Sequence, residues 1–284
     1  MKKLFTIALI LVFAFSLTAC SGKNDSIAVV TREDGSGTRG AFVELFDVRI
    51  EDAEGKKVDD IRPDANVQSS TGQVLAAVSG NKNAISYISL ASLDSTIKAL
   101  KINGVDATAE NIINGSYTVS RPFNIVISDS GVNEATQEFI NFIMSEDGQD
   151  VISEKGISEG NTGAYIMGSA SGTVKVEGSS SISPVMTDLK EAFEAVNSNV
   201  KIEIQTNDSG TGVTRTIDGS ADIGMVSRNV RDEEVAQGLE VLTICLDGIA
   251  IIVNKDNSLD NATVEQIRAI FQDGGDITKW EELS

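Results

Sequence analysis

Across 284 residues the chain carries 42 acidic against 23 basic side chains, a formal net charge of −19, and no histidine. So acidic a chain makes nucleic acid an unsuitable partner, because phosphate backbones are bound by basic faces. Without histidine the Ser-His-Asp and Cys-His nucleophile systems and most zinc sites are absent, and neither a metal nor a cofactor is expected.

The first segment reads as a processing signal. Lys2 and Lys3 precede an apolar run from Leu4 that ends in Leu17-Thr-Ala-Cys20. It resembles a bacterial lipoprotein signal, cleaved so that Cys20 is lipidated and becomes the N-terminus. The run falls short of the roughly 20 apolar residues that a membrane span needs. Residues 1–19 are therefore set apart from the fold, with 20–26 as a tether, and the mature chain is expected outside the cytoplasm, anchored to the cell membrane by lipid. What remains is long enough for one large domain or for two lobes with cores of their own.

Next comes the strand-like run Ile27–Val30, followed by Thr31-Arg32 and the loop Glu33-Asp-Gly-Ser-Gly-Thr38. Apolar spacing at Phe42, Leu45 and Phe46 predicts a helix behind it. Residues 47–66 are charged and irregular, and read as a solvated excursion. Ile85–Leu90 and Ile125–Ile127 predict buried strands, and Ala135, Phe139, Phe142 and Ile143 a helix. The Gly- and Ser-rich stretch 156–172 is the best linker candidate. Beyond it Val174–Val176 predicts a strand, Glu177-Gly-Ser-Ser-Ser181 a loop, and Val185, Leu189, Phe193 and Val196 a helix. Ile202-Glu-Ile-Gln205 then leads into a third loop, Asn207-Asp-Ser-Gly-Thr-Gly212. Cys245 sits in an apolar stretch as a small hydrophobe. Ile249–Val253 predicts a strand, and Val264, Ile267, Ile270 and Phe271 a last helix.

Alternation of this kind implies parallel sheets covered on both faces, with ligands beyond the carboxyl ends of the strands, where the three loops fall. A Ser/Gly/Thr loop at a helix start offers free N–H groups, close approach and the positive end of the macrodipole. One such loop is commonly no more than a cap or turn; three together, one carrying Arg32, point to an oxyanion site. The acidic surface does not oppose this, because charges farther than the Debye length of about 8 Å are largely screened.

Several strings are similar to the phosphate-binding lipoproteins that feed bacterial ABC phosphate importers. They are Thr31-Arg-Glu-Asp-Gly-Ser-Gly-Thr-Arg-Gly-Ala-Phe42, Ala84-Ile-Ser-Tyr-Ile-Ser-Leu90, Gly178-Ser-Ser-Ser-Ile-Ser-Pro184, Ala221-Asp-Ile-Gly-Met-Val-Ser-Arg228, Asp247-Gly-Ile-Ala-Ile-Ile-Val-Asn254 and Ile277-Thr-Lys-Trp280. Their order is rotated relative to the usual family arrangement, which resembles a circular permutation with 156–172 joining the old ends. The resemblance implies a two-lobed α/β fold of the type II periplasmic-binding-protein kind, with mixed, mainly parallel sheets, helices on both faces and a hinge between the lobes. One lobe would combine 27–119 with 247–284 and the other would span 120–246, with the hinge near 119–124 and 247–251; a single sheet through both halves would speak against that division.

The resemblance also places ligand contacts at Arg32, Ser36, Gly37 and Thr38 on one lobe and at Ser180, Ser181 and Ser209 on the other. Asp34 is expected either to pair with Arg32 or only to form the turn before Gly35. Ser227, the eighth expected contact, stands where many relatives carry an Asp that accepts the proton of monohydrogen phosphate, which opens the question of phosphate against sulfate. Arg228 either adds charge to the cleft or forms a salt bridge at its edge. The implied function is capture of inorganic phosphate by a membrane-anchored monomer that delivers it to importer permease subunits. Sulfate or a phosphonate is the alternative ligand, a signalling or adhesion lipoprotein a further reading, and a phosphoryl-transfer enzyme the reading of a different class; no Gly-x-x-x-x-Gly-Lys-Ser/Thr string supports the last.

Overall fold

The computed structural model describes residues 26–158 and 160–283; the segment read as a processing signal and Cys20 lie outside them. The chain begins β1 (Ala28–Arg32), α1 (Gly37–Leu45), β2 (Arg49–Glu51), β3 (Lys57–Asp59), β4 (Asn66–Gln68), α2 (Thr71–Ser79), β5 (Ala84–Ser89), β6 (Ile97–Ala99), β7 (Lys101–Ile102) and α3 (Ala109–Ile113). It continues through β8 (Ser120–Ser128), α4 (Glu134–Met144), α5 (Glu146–Ser153), β9 (Gly172–Ser179), α6 (Ser183–Val196), β10 (Val200–Asn207) and α7 (Ser209–Ile217). Last come β11 (Ile223–Val226), α8 (Asp232–Val235), β12 (Leu239–Asn254), β13 (Asn261–Ala262) and α9 (Val264–Phe271). Helices open where a short polar side chain accepts an orphan first-turn N–H: Ser36 before α1, Ser70 before α2, Asp208 before α7 and Thr263 before α9.

Two lobes result, each an α/β unit with its own core. In one, Phe42 stacks on Tyr87 at 4.0 Å between ring centroids and meets Phe271 at 4.7 Å, with Val74, Ile85, Ile251 and Ile267 buried around them. In the other, Phe139 and Phe142 lie 5.0 and 5.3 Å from Phe193, among Val174, Val176, Leu189 and Ile223. Every fully buried aromatic ring of this size contributes about 3–5 kcal/mol against truncation to alanine.

Strand pairing is parallel at the two flanks and antiparallel in the middle. β1 pairs in parallel with β4 and β5, and β9 with β10 and β11. Between these flanks β8 and β12 run antiparallel, with Arg121 opposite Asp247 and Ser120 opposite Gly248. β12 pairs with β8 over its first part and with β5 over Ile249–Val253, so one hydrogen-bonded path runs from β10 to β4, the single sheet that speaks against a clean division of the chain. The apolar residues nevertheless gather on either side of the crossing, in one large cluster on one side and in a large and a small one on the other. The connection expected near 119–124 and 247–251 is therefore made of two paired strands.

Two stretches read as irregular have more structure than their composition signals. Within 47–66 lies the β2–β3 hairpin, and the excursion ends on β4, which leads straight into α2. The Gly- and Ser-rich stretch 156–172 is docked on the second lobe: Glu138 Oε1 accepts the Tyr165 hydroxyl and the Gly168 N–H at 2.6 Å, and the Tyr165 ring packs edge-on against Phe142 at 5.3 Å. Burial, with the Glu138 hydrogen bond adding to it, pushes the Tyr165 hydroxyl up to about 12, so it remains a donor.

Candidate functional site

The loops after β1, β9 and β10, together with the loop after β4, bring the starts of four helices to the seam between the lobes. On one side are α1 and α2, on the other α6 and α7. The seam is closed by direct contacts: Thr38 Oγ1 lies 2.6 Å from Ser181 Oγ, Thr71 Oγ1 lies 3.2 Å from Ser180 Oγ, and the Gly210 N–H donates to the Gly35 carbonyl at 3.2 Å. Gly37 is required here by space, since a Cβ on it would stand 2.3 Å from Ser209 Oγ and 2.6 Å from Ser227 Oγ. The first-turn amides of α1 have no intrahelical acceptor; the Arg39 N–H is taken by the Ser36 hydroxyl, and Gly37 and Thr38 themselves stand against the buried hydroxyls of the other side.

All eight residues expected to contact the ligand sit at the seam and are buried or closely packed: Arg32, Ser36, Gly37, Thr38, Ser180, Ser181, Ser209 and Ser227. Their roles differ. Ser36 Oγ is engaged as the cap of α1, accepting the Arg39 N–H at 3.3 Å, which leaves its hydroxyl proton to donate. Ser227 Oγ accepts from Ser179 Oγ at 2.8 Å, and its N–H donates to Ser209 Oγ at 3.1 Å. The Tyr87 hydroxyl, pushed up to about 12 by burial, holds Thr31 Oγ1 at 2.7 Å and accepts the Arg32 N–H at 3.3 Å.

Arg32 is 2% exposed and aims Nη1 at Thr71 Oγ1, 3.4 Å away. Its partner is not Asp34. Glu33 takes the guanidinium in a fork, at 2.8 Å to Nε and 2.6 Å to Nη2, whereas the Asp34 side chain is 93% exposed and meets Arg39 at 3.0 Å. The turn that carries the chain into α1 points residue 34 to solvent and residue 33 back along the strand, so the pairing expected for Asp34 is corrected to Glu33.

Arg228 contributes no free charge to the seam. Its guanidinium is clasped by both Glu234 oxygens, each at 2.8 Å, in a largely buried pair. Burial pushes the Glu234 carboxyl up, but the Arg228 hydrogen bonds, the Arg231 N–H and the two nearby charges outweigh it and hold it below its ordinary 4.5. A depressed folded value adds stability above that ordinary value, and the gain is lost as the pH falls through the folded one. Glu234→Gln therefore lowers the melting temperature near neutral pH, and thermal melts will show the gap to the parent chain shrinking as the pH drops from about 6 to about 3.

Two residues at the seam carry no signal in the three loops. Thr71, at the first position of α2, donates its N–H to Ser180 Oγ at 3.3 Å and touches Ser181 Oγ at 3.5 Å. The string Ser69-Ser-Thr-Gly72 is a fourth loop of the same type, hidden because the strand before it is only three residues long, with Val67 between two polar residues. The other is Arg121, buried on β8, whose Nη1 donates to Thr38 Oγ1 at 2.8 Å and to the Ser227 carbonyl at 2.7 Å. Among the described residues no group of His, Cys, Asp and Glu could hold a metal ion, and no helix is long and apolar enough to cross a membrane.

A family model described as the PBP superfamily domain matches residues 16–147 and 163–284. The chain is 46% identical over 274 residues to phosphate-binding protein PstS 2 of Streptococcus agalactiae, covering 94% of this chain and 93% of that one. It is 40% identical over 292 residues to phosphate-binding protein PstS 2 of Streptococcus pneumoniae, covering 99% of each. Among solved structures, the phosphate-binding protein of a phosphate ABC transporter from Streptococcus pneumoniae is 42% identical, covers 91% of this chain and all of that one, and superposes with a TM-score of 0.70.

Proposed function

The chain belongs to the PBP superfamily, alongside bacterial phosphate-binding proteins, and from that premise we propose that it captures inorganic phosphate between its two lobes and delivers it to an ABC importer. One observation carries the reading: the starts of α1 and α2 meet those of α6 and α7 at a seam of buried hydroxyls beside Arg32. Helix ends, small hydroxyls and a guanidinium supply donors in the directions a tetrahedral anion needs. The ligand contacts are Arg32, Ser36, Gly37, Thr38, Ser180, Ser181, Ser209 and Ser227, joined by Thr71. Micromolar affinity requires about −8 kcal/mol, within reach of several charge-assisted hydrogen bonds of about 1.5–3 kcal/mol each after ordering costs.

The finer parts of the reading follow from the same premise. The lobes are assigned as 27–119 with 247–284, and 120–246; the separate apolar clusters favour this division, with Ile157 packed into the first of them, and the continuous strand path through β8 and β12 counts against it. The chain order is a circular permutation joined through 156–172, a reading favoured by the antiparallel bridge between Ser26 and Lys279, which brings the two ends of the described chain together. Lipid on Cys20 holds a monomeric binder outside the cytoplasmic membrane, where it releases phosphate to the permease subunits without chemically changing it.

Calorimetric titration of the protein with phosphate, sulfate and a small phosphonate tests the assignment. Phosphate is expected to bind in the micromolar range or tighter; the Ser227 hydroxyl can accept a hydrogen bond from monohydrogen phosphate or donate one to sulfate, so the titration itself decides the selectivity. Absence of heat with millimolar phosphate defeats the function, and tighter binding of sulfate or the phosphonate reassigns the ligand.

A further inference from the structure

Arg121 is the most thoroughly engaged cation at the crossing of the lobes. From β8 its Nε and Nη2 donate to Asp247 Oδ2 on β12, at 3.2 and 3.1 Å, while Nη1 reaches the Ser227 carbonyl and Thr38 Oγ1. Asp247 Oδ1 in turn accepts the Ser89 hydroxyl at 2.9 Å and the Ala91 N–H at 3.3 Å. Both partners are almost wholly buried. Burial, countered by Asp247 and reinforced by the nearby Arg32 charge, draws the Arg121 guanidinium below its ordinary value.

A guanidinium has donors and no acceptor, so the bond to Thr38 has only one direction. Thr38 Oγ1 must accept from Arg121, and its single proton is left to be donated onward. In this structure its neighbour is Ser181 Oγ at 2.6 Å, on the opposite lobe. We propose that Arg121 is a positioning residue for the anion site: it fixes Thr38 as a donor toward the ligand and couples that donor to the two strands that cross between the lobes. The proposal rests on the phosphate reading. Because Arg121 is matched by Asp247, its contribution is one of direction and geometry more than of net charge. Thr38 stands on α1 and Arg121 on β8 within the paired strands that cross between the lobes, so the bond ties a donor at the seam to the connection itself.

A cycle of variants measured by phosphate titration tests this. Arg121→Gln alone would strand a buried carboxylate, so it is made together with Asp247→Asn, which removes both charges. Thr38→Val and the Arg121→Gln/Asp247→Asn pair are each expected to weaken phosphate binding about tenfold to a hundredfold. All changes combined are expected to cost little beyond the larger of the two, since Arg121 acts through Thr38. Losses that multiply, or an unchanged affinity in the charge-removed pair beside a lowered melting temperature, overturn the proposal and leave Arg121 a structural residue. Should that pair fail to fold, Arg121→Lys keeps the charge for Asp247 without the fork; its phosphate affinity is expected to fall while its ligand-free melting temperature stays close to the parent's, and parent-like affinity overturns the proposal. A parent chain that gives no phosphate heat defeats the function itself, an outcome distinct from either of these.

Discussion

Arg32→Ala is expected to weaken phosphate binding by about a hundredfold or more, the scale of about 2–5 kcal/mol that follows when one member of a buried, hydrogen-bonded charge pair is truncated. The side chain is 2% exposed, and its fork to Glu33 leaves Nη1 for the seam, beside Thr71. Removing it withdraws a charge-assisted donor and exposes the ligand to the Glu33 carboxylate with nothing between them. Arg32→Lys is expected to fall between the parent and the alanine variant, because an ammonium group cannot serve the carboxylate in a fork and the anion at once. Titration calorimetry reads both, and an unchanged dissociation constant for Arg32→Ala would remove Arg32 from the site.

Gly37→Val should do comparable damage by a different route. The first residue of α1 faces two fully buried serines of the other lobe, and even a Cβ there would come within 2.3 Å of Ser209 Oγ and 2.6 Å of Ser227 Oγ. Neither serine has a long side chain that could swing aside, so the strain is relieved only if the lobes separate. The expected outcome is a ligand-free melting temperature near the parent's, an affinity lower by about two orders of magnitude, and loss of the rise in melting temperature that phosphate confers by mass action. Gly37→Ala is expected to lie between. Parent-like affinity for Gly37→Val would mean that the closed seam is not the ligand-holding state.

Much of the candidate site is legible in the sequence, because its elements are local. A strand, a Ser/Gly/Thr loop and a helix are contiguous in sequence, and Arg32 stands inside the first of them. What escaped is either too short or too distant. β4 is three residues of mixed polarity, too brief for an alternation to register, so the helix start that carries Thr71 had no strand to announce it. Arg121 and Asp247 are 126 residues apart, and nothing local marks either as half of a buried pair. The choice between Glu33 and Asp34 as partner of Arg32 depends on the dihedral angles of one turn, which adjacent carboxylates cannot reveal. Arg228 was legible as a cation near the cleft, but its capture by Glu234 needed the geometry of α8.

A single sixteen-residue strand, β12, belongs to both cores, its pairing with β8 shifting register between Thr243 and Cys245. Motion of one half against the other must therefore be absorbed as torsion spread along a continuous ribbon instead of rotation about a slack joint, which restricts its amplitude and direction. The same continuity ties the fates of the halves: a core that melts releases the edge on which its neighbour is built, so heat should dismantle the two as one cooperative body.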